Sequence, residues 1–449
     1  MPETILSSTQ SLCPHCLARI PAWNVQRGED VYLVKECPRH GRFATVIWRG
    51  APDYTTWGYP RKRPGARVCT TARKNGCPFD CGLCPEHHHQ ACAVLVEVTQ
   101  ACNLHCPVCF ANAGSARIPD PDLATIASWY RSLMDQAGPV NIQLSGGEPT
   151  VREDLPDIIA LGHKTGFPFV QINTNGLRLG SEPSYASLLK EAGLDCAFVQ
   201  FDGLGDRIYR SIRGQDLLRV KLACVENCAR AGIGVVLAVT LVPRVNMDAL
   251  GDLVRFALDH VPHVRGLHLQ PIGYIGRYPT TPENGDRITL PEIMRALEEQ
   301  TGGLVRTSFF LPPAGENAHC SFHANLTVLE DKSLVPWVED REALYKERTE
   351  NPQEGSGHAR NFMARQWSAA RQEKEGEDQD ELARRLARME THSLSISAMA
   401  FQDVWNLDLE RLKDCHIGIF SPDARIIPFC AYNLSSASGQ TLYRGAIKP

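Results

Sequence analysis

Between Val94 and about Gln300 the chain alternates two hydrophobic patterns. Short β-branched or apolar runs ("VLVEV", "VNIQLS", "FVQIN", "AFVQF", "GVVLAVTLV", "GLHLQP") have the length of buried strands. Between them lie longer stretches with helical character, such as "DLATIASWYRSLMDQAG", "LPDIIALGHKTG", "YASLLKEAG", "VKLACVENCARAG" and "DALGDLVRFALDH". Several stop at glycine, as helix C-termini commonly do. Six βα units joined by right-handed crossovers predict an α/β fold with a parallel sheet that curves into a full or partial barrel. In such folds the chemistry sits at the C-terminal ends of the strands.

Outside that region the pattern divides the chain further. Residues 1–60 form a cysteine-bearing module and 61–92 a second cysteine-rich segment, with the barrel over 93–300 and an extension over 301–449. Within the extension, 339–392 is charged and predicts a solvent-facing helical insertion. "SISAMAFQDVWNLDLERL" predicts an apolar helix, suited to a core or to peripheral contact with a membrane surface. The basic stretch "RKRPGARVC" is a solvated linker.

Composition narrows the function classes. The 449 residues carry a formal charge of −4, which gives no electrostatic case for nucleic acid. The N-terminus lacks the basic and apolar regions of a signal peptide, and no apolar run is long enough to span a bilayer. A cytoplasmic, soluble protein is expected. In a reducing compartment the 17 cysteines point to metal rather than disulfides.

Their spacing is specific. Cys13, Cys16, Cys37 and His40 form two C-P-x-C/H knuckles, a pattern for one tetrahedral ion, zinc or a mononuclear iron. "CNLHCPVCF" places Cys102, Cys106 and Cys109 in a C-x3-C-x2-C loop after the first predicted barrel strand. Cys77, Cys81 and Cys84 repeat that spacing, with Cys92 eight residues on. A cubane [4Fe–4S] cluster takes one cysteine per iron, so a three-thiolate loop leaves one iron open to an exchangeable ligand. "GGEPT", "TNG" and "DG" follow the next three predicted strands, so four polar or glycine-rich motifs share one end of the sheet.

On these motifs the sequence resembles the radical S-adenosylmethionine (radical SAM) superfamily, in its branch with a six-stranded partial barrel. The resemblance implies that Cys102, Cys106 and Cys109 hold a [4Fe–4S] cluster whose fourth iron binds SAM, and that one electron from a ferredoxin or flavodoxin cleaves the sulfonium. Gly146 and Gly147 would leave room for a ligand along the backbone, and Glu148 would meet the SAM ammonium. Asn173, Thr174 and Asn175 suit the ribose or the methionyl carboxylate, and Gln200 and Asp202 the ribose hydroxyls or substrate. Ordinary turn capping explains these five as well. The family's aromatic residue before the third cysteine is Val108 here, with Phe110 following, which leaves the adenine contact unassigned.

More closely, "GCPFDCGLCPEH…VEVTQACNLHCPVCFANAG" is similar to the group containing the archaeal tetraether lipid synthase and related pterin methylases. That similarity implies auxiliary clusters. One would sit on Cys77, Cys81, Cys84 and Cys92, with Cys69 the rival fourth ligand. Another would use Cys320, Cys415 and Cys430, with His416 or His319 as a fourth. The expected activity is hydrogen abstraction from an unactivated carbon with C–C bond formation, by coupling or methylation of a lipid or pterin-like substrate. Maturation of a cofactor or peptide, and a non-catalytic metal-binding interaction protein, are the alternatives.

Overall fold

The computed structural model describes residues 3–58, 69–114, 119–313, 315–338, 355–370 and 388–445. Strands β1 (Glu3–Leu12), β2 (Arg19–Arg27), β3 (Asp30–Cys37) and β4 (Gly41–Arg49) form an antiparallel sheet in sequential order. The first and third of its three reverse turns bring together Cys13, Cys16, Cys37 (the last residue of β3) and His40.

The six expected barrel strands follow as β5 (Ala93–Thr99), β6 (Asn141–Gly146), β7 (Val170–Thr174), β8 (Cys196–Gln200), β9 (Gly234–Leu241) and β10 (Val264–Pro271). They pair in parallel and in sequence order. The crossover helices include α1 (Leu123–Ala137), α2 (Leu155–Thr165), α3 (Leu177–Ser181), α4 (Pro183–Glu191), α5 (Asp206–Arg213), α6 (Leu218–Ala231) and α7 (Leu250–Asp259). The near-continuous burial along β5 and β9 is what a parallel sheet covered on both faces requires.

The extension does not stand apart from this sheet. Strands β11 (Ser321–Val328), β12 (Leu334–Pro336), β13 (Ser393–Met399), β14 (Ile417–Phe420) and β15 (Ile426–Pro428) add to both edges, giving the order β12-β11-β13-β10-β9-β8-β7-β6-β5-β14-β15. Strand β13 pairs in parallel with β10, and β14 in parallel with β5.

Two sequence expectations are corrected here. "SLSISAM" is a strand rather than part of an apolar helix, because its residues alternate with a period of two and β10 supplies an open edge. The basis for a membrane-surface helix goes with it. The charged insertion is not wholly solvent-facing either, since its helix Gly355–Trp367 packs under β9, β10 and β13. Arg265 holds it, donating through Nε to the Gln366 carbonyl at 2.9 Å and through Nη1 to the Thr391 carbonyl at 2.6 Å. The rest of the insertion, 339–354 and 371–387, lies outside the described residues. Among the described residues no helix is long and apolar enough to cross a membrane.

The N-terminal sheet is bound to the extension by buried polar contacts. Lys35 Nζ donates to Ser11 Oγ, the Leu12 carbonyl and the Val404 carbonyl, the last at 2.6 Å. Asp408 accepts from Thr9 Oγ1 at 2.6 Å and from Asn24 Nδ2 at 3.4 Å. This sheet is therefore a wall of the structure rather than a tethered appendage.

Candidate active site

The loops after β5, β6, β7 and β8 meet at the C-terminal ends of the strands, where a cavity of about 610 Å³ opens. Cys102, Cys106 and Cys109 line it. Burial first, then Glu148 and the other two thiols, pushes the Cys102 thiol up to about 11. Burial raises Cys106 too, opposed by Arg213. Three crowded thiols of this kind ionise at a cost unless a cation group accompanies them, and iron coordination removes that cost. The donor set fits a cluster held by three thiolates.

The loop is fixed from several sides. Arg277 donates through Nε to the Cys106 carbonyl at 2.7 Å, and its backbone exchanges two hydrogen bonds with Cys109, at 2.8 and 2.9 Å. A Cβ at Gly276 would lie 2.3 Å from the Phe110 carbonyl oxygen, so only glycine allows that approach. The same holds at Gly147, where a Cβ would lie 2.0 Å from the Ala101 carbonyl oxygen. Gly147 and Gly146 thus seat the cysteine loop against β6, in addition to lining the cavity.

Glu148 ties three loops together. Its carboxylate accepts from Thr150 N and Oγ1 at 3.1 and 2.7 Å, from Thr174 Oγ1 at 2.7 Å and from Asn175 N at 2.6 Å. Asn175 Nδ2 in turn donates to Asn103 Oδ1 in the cysteine loop, at 2.7 Å. Asn173, Thr174, Asn175 and Gln200 all line the cavity.

Asp202 departs from its expected role. It is fully buried, does not line the cavity, and takes Arg213 Nε and Nη2 on its two oxygens at 2.7 and 2.9 Å. An arginine eleven residues on, brought inward by helix α5 (Asp206–Arg213), claims the carboxylate. Arg213 lines the cavity, and its charge lies close enough to Cys106 to oppose the rise of that thiol's pKa. Sequence reading missed it, and the signal available was a lone arginine on the turn of "SIRG".

The other cysteines fall into separate groups. Cys13, Cys16, Cys37 and His40 offer ligand atoms within 4.8 Å of one another, as a tetrahedral ion needs. Cys77, Cys81 and Cys84 line a small cleft with His87, Leu412 and Lys413. Cys92 does not line that cleft; its N–H donates to the His416 carbonyl at 2.9 Å, and both residues line the large cavity. Cys69 is exposed. Cys320, Cys415 and Cys430 share one neighbourhood, the first two half-buried and Cys430 buried, where burial and then the Cys320 thiol push Cys430 up to about 12.

Of the two candidate histidines, His416 keeps a buried Nδ1 without a hydrogen-bond partner, whereas His319 is held against the N-terminal module. His416 Nε2 pairs with Glu316 at 2.9 Å, and His319 stacks on Tyr54 with ring centroids 3.8 Å apart. The run His87–His89 packs against the last third of the chain. His87 Nε2 bonds the Cys415 carbonyl at 2.6 Å and His88 Nδ1 pairs with Asp414 at 2.7 Å, pinning the first cysteine segment to the last.

Comparison with known proteins agrees with this geometry. Residues 96–257 match the radical SAM superfamily and residues 5–49 the HMPTM N-terminal zinc ribbon domain. A 7,8-dihydro-6-hydroxymethylpterin dimethyltransferase of Methanocaldococcus jannaschii is 35% identical, over 95% of this chain and 93% of the relative. A GTP 3′,8-cyclase of Alkaliphilus oremlandii is 32% identical over 40% of this chain and 56% of its own. Among solved structures, Streptococcus suis SuiB bound to its precursor peptide SuiA superposes with a TM-score of 0.40 at 14% identity, covering 48% of this chain and 46% of that one.

Proposed function

The chain belongs to the radical SAM superfamily, and from that premise we propose that it methylates a carbon of a pterin-like substrate, forming a C–C bond. The observation that carries the reading is the similarity to the pterin dimethyltransferase across nearly the whole chain, together with the matched zinc ribbon domain at the N-terminus. Cavity size agrees, since about 610 Å³ lies within the range of pockets that bury small organic ligands.

When bound, the cluster and SAM would supply reductive cleavage of the sulfonium and a 5′-deoxyadenosyl radical that removes hydrogen from carbon, and a second SAM, with a second electron from the same donor, would break its S–CH3 bond to methylate that carbon and leave as S-adenosylhomocysteine. The protein's own residues hold and shield this chemistry. Cys102, Cys106 and Cys109 are the cluster ligands. Glu148 fixes the loops that carry Asn173 and Asn175, which with Gln200 line the space for SAM. Arg213 supports the thiolate of Cys106 with its nearby positive charge.

Cys77, Cys81 and Cys84 are the donors for one auxiliary cluster, and Cys320, Cys415 and Cys430 for a second. The ribbon holds one zinc or iron on Cys13, Cys16, Cys37 and His40. A ferredoxin or flavodoxin supplies the electron. The test is anaerobic turnover with SAM, reductant and ring-deuterated 6-hydroxymethyl-7,8-dihydropterin. Deuterium appearing in 5′-deoxyadenosine, with a pterin product heavier by one or two methyl groups, is expected. Uncoupled 5′-deoxyadenosine carrying no deuterium contradicts the assignment of substrate.

A further inference from the structure

Below the thiol loop the cavity continues into the barrel, and its wall changes character. Phe198 on β8 and Trp367 at the end of the helix under the barrel stand with ring centroids 5.8 Å apart. His268 on β10 lies 5.4 Å from Phe198 and 6.5 Å from Trp367, and all three rings line the cavity. Serines on β13 hold two of them: Ser397 Oγ is 2.8 Å from His268 Nδ1, and Trp367 Nε1 donates to Ser395 Oγ at 3.4 Å. Asn325 on β11 belongs to the same wall, and its side-chain carbonyl oxygen is buried without a hydrogen-bond partner.

An unsatisfied buried acceptor is costly in a folded protein and is retained where something donates to it. Aromatic rings with a lone acceptor beside them describe a ligand with flat apolar faces and an N–H edge. His268 complements them: burial lowers its pKa to about 4, so at neutral pH it is an uncharged imidazole that neither demands nor repels a charged ligand.

We propose that this floor of the barrel is a binding slot for a planar nitrogen heterocycle. The ring lies against Phe198 and Trp367 and donates from an amino or ring N–H to Asn325 Oδ1, with His268 as the second polar contact. The substituted end of the heterocycle then points up the same cavity toward the thiol loop. The slot rests on the pterin reading only for its first probe, because the 2-amino-4-oxopyrimidine edge of a pterin also occurs in guanosine.

The experiment measures equilibrium binding of two probes, 6-hydroxymethyl-7,8-dihydropterin and guanosine, to the anaerobically reconstituted full chain with SAM. Tryptophan quenching and calorimetry give the affinities. Asn325→Leu and His268→Gln are each expected to weaken binding about three- to tenfold, the loss of one neutral hydrogen bond. Trp367→Phe should remove most of the quench while keeping affinity within about threefold. Asn325→Leu should also leave the free protein as thermostable as the wild type or more so, since it removes an unsatisfied oxygen. That result separates lost recognition from lost folding.

Pterin binding unchanged in Asn325→Leu and His268→Gln overturns the slot and leaves the pterin reading standing. Guanosine binding that responds to these variants, with no pterin binding, keeps the slot and removes the pterin. Saturable binding of neither probe overturns both.

Discussion

Replacing Arg213 by glutamine probes what holds the barrel mouth in shape. Arg213 and Asp202 are paired where water hardly reaches, with side-chain exposures of 3% and 0%. Beyond their two mutual bonds, Asp202 accepts the Thr240 N–H at 3.0 Å and Arg213 Nη2 donates to Thr240 Oγ1 at 3.0 Å. Glutamine leaves a buried carboxylate with its charge uncompensated, and removing one member of such a pair costs about 3–5 kcal/mol. Asp202→Asn, which strands the guanidinium instead, should cost a similar amount. The double variant carries two neutral amides in place of two charges. It should lose less than the sum of the singles, by at least about 2 kcal/mol. Urea unfolding of the four proteins, compared at constant slope, gives this coupling. Additive losses, or a single Arg213→Gln loss below about 1 kcal/mol, refute the reasoning.

Other perturbations test other parts of the structure. Arg277→Gln removes the donor to the Cys106 carbonyl and should weaken ordering of the cysteine loop by about 1.5–3 kcal/mol, read as lower iron retention under a chelator challenge. His268, with its pKa lowered to about 4 from an ordinary 6.5, binds its proton less readily folded than unfolded. Stability is therefore lost as pH falls from 6.5 toward 4. His268→Gln should spare about 2 kcal/mol of that loss at pH 5, measured by denaturant titration against the wild type. Cys16→Ser should empty the ribbon's ion site. Hydrogen exchange should then rise in 402–414, because Lys35 and Asn24 of that module hold Val404 and Asp408; unchanged exchange there contradicts the docking.

The barrel was legible because parallel strands buried on both faces produce apolar runs of strand length, and because function clusters at one end of them. The ribbon ligands were equally plain, since two knuckles at short spacing leave few other roles for Cys13, Cys16, Cys37 and His40. What escaped the sequence depended on partners distant in the chain. "SLSISAM" is a strand only because β10 offers an edge, and apolar content alone made it look helical. The helix ending at Trp367 lies in a charged segment, yet it closes the barrel floor. Asp202 looked like a ligand group until Arg213 turned inward to meet it. Cys92, eight residues from the first triplet, stands at the entry to β5, where its N–H meets the His416 carbonyl.

The proposed chemistry requires Cys102, Cys106 and Cys109 to hold the cluster that cleaves SAM. It is tested most directly by counting 5′-deoxyadenosine from reduced, anaerobically reconstituted protein, wild type beside Cys106→Ala, with the ribbon and the remaining cysteines intact. The wild type should release the nucleoside with each turnover, and the variant should fall to the protein-free background. Equal release from both proteins, or none from an iron-loaded wild type, contradicts the claim.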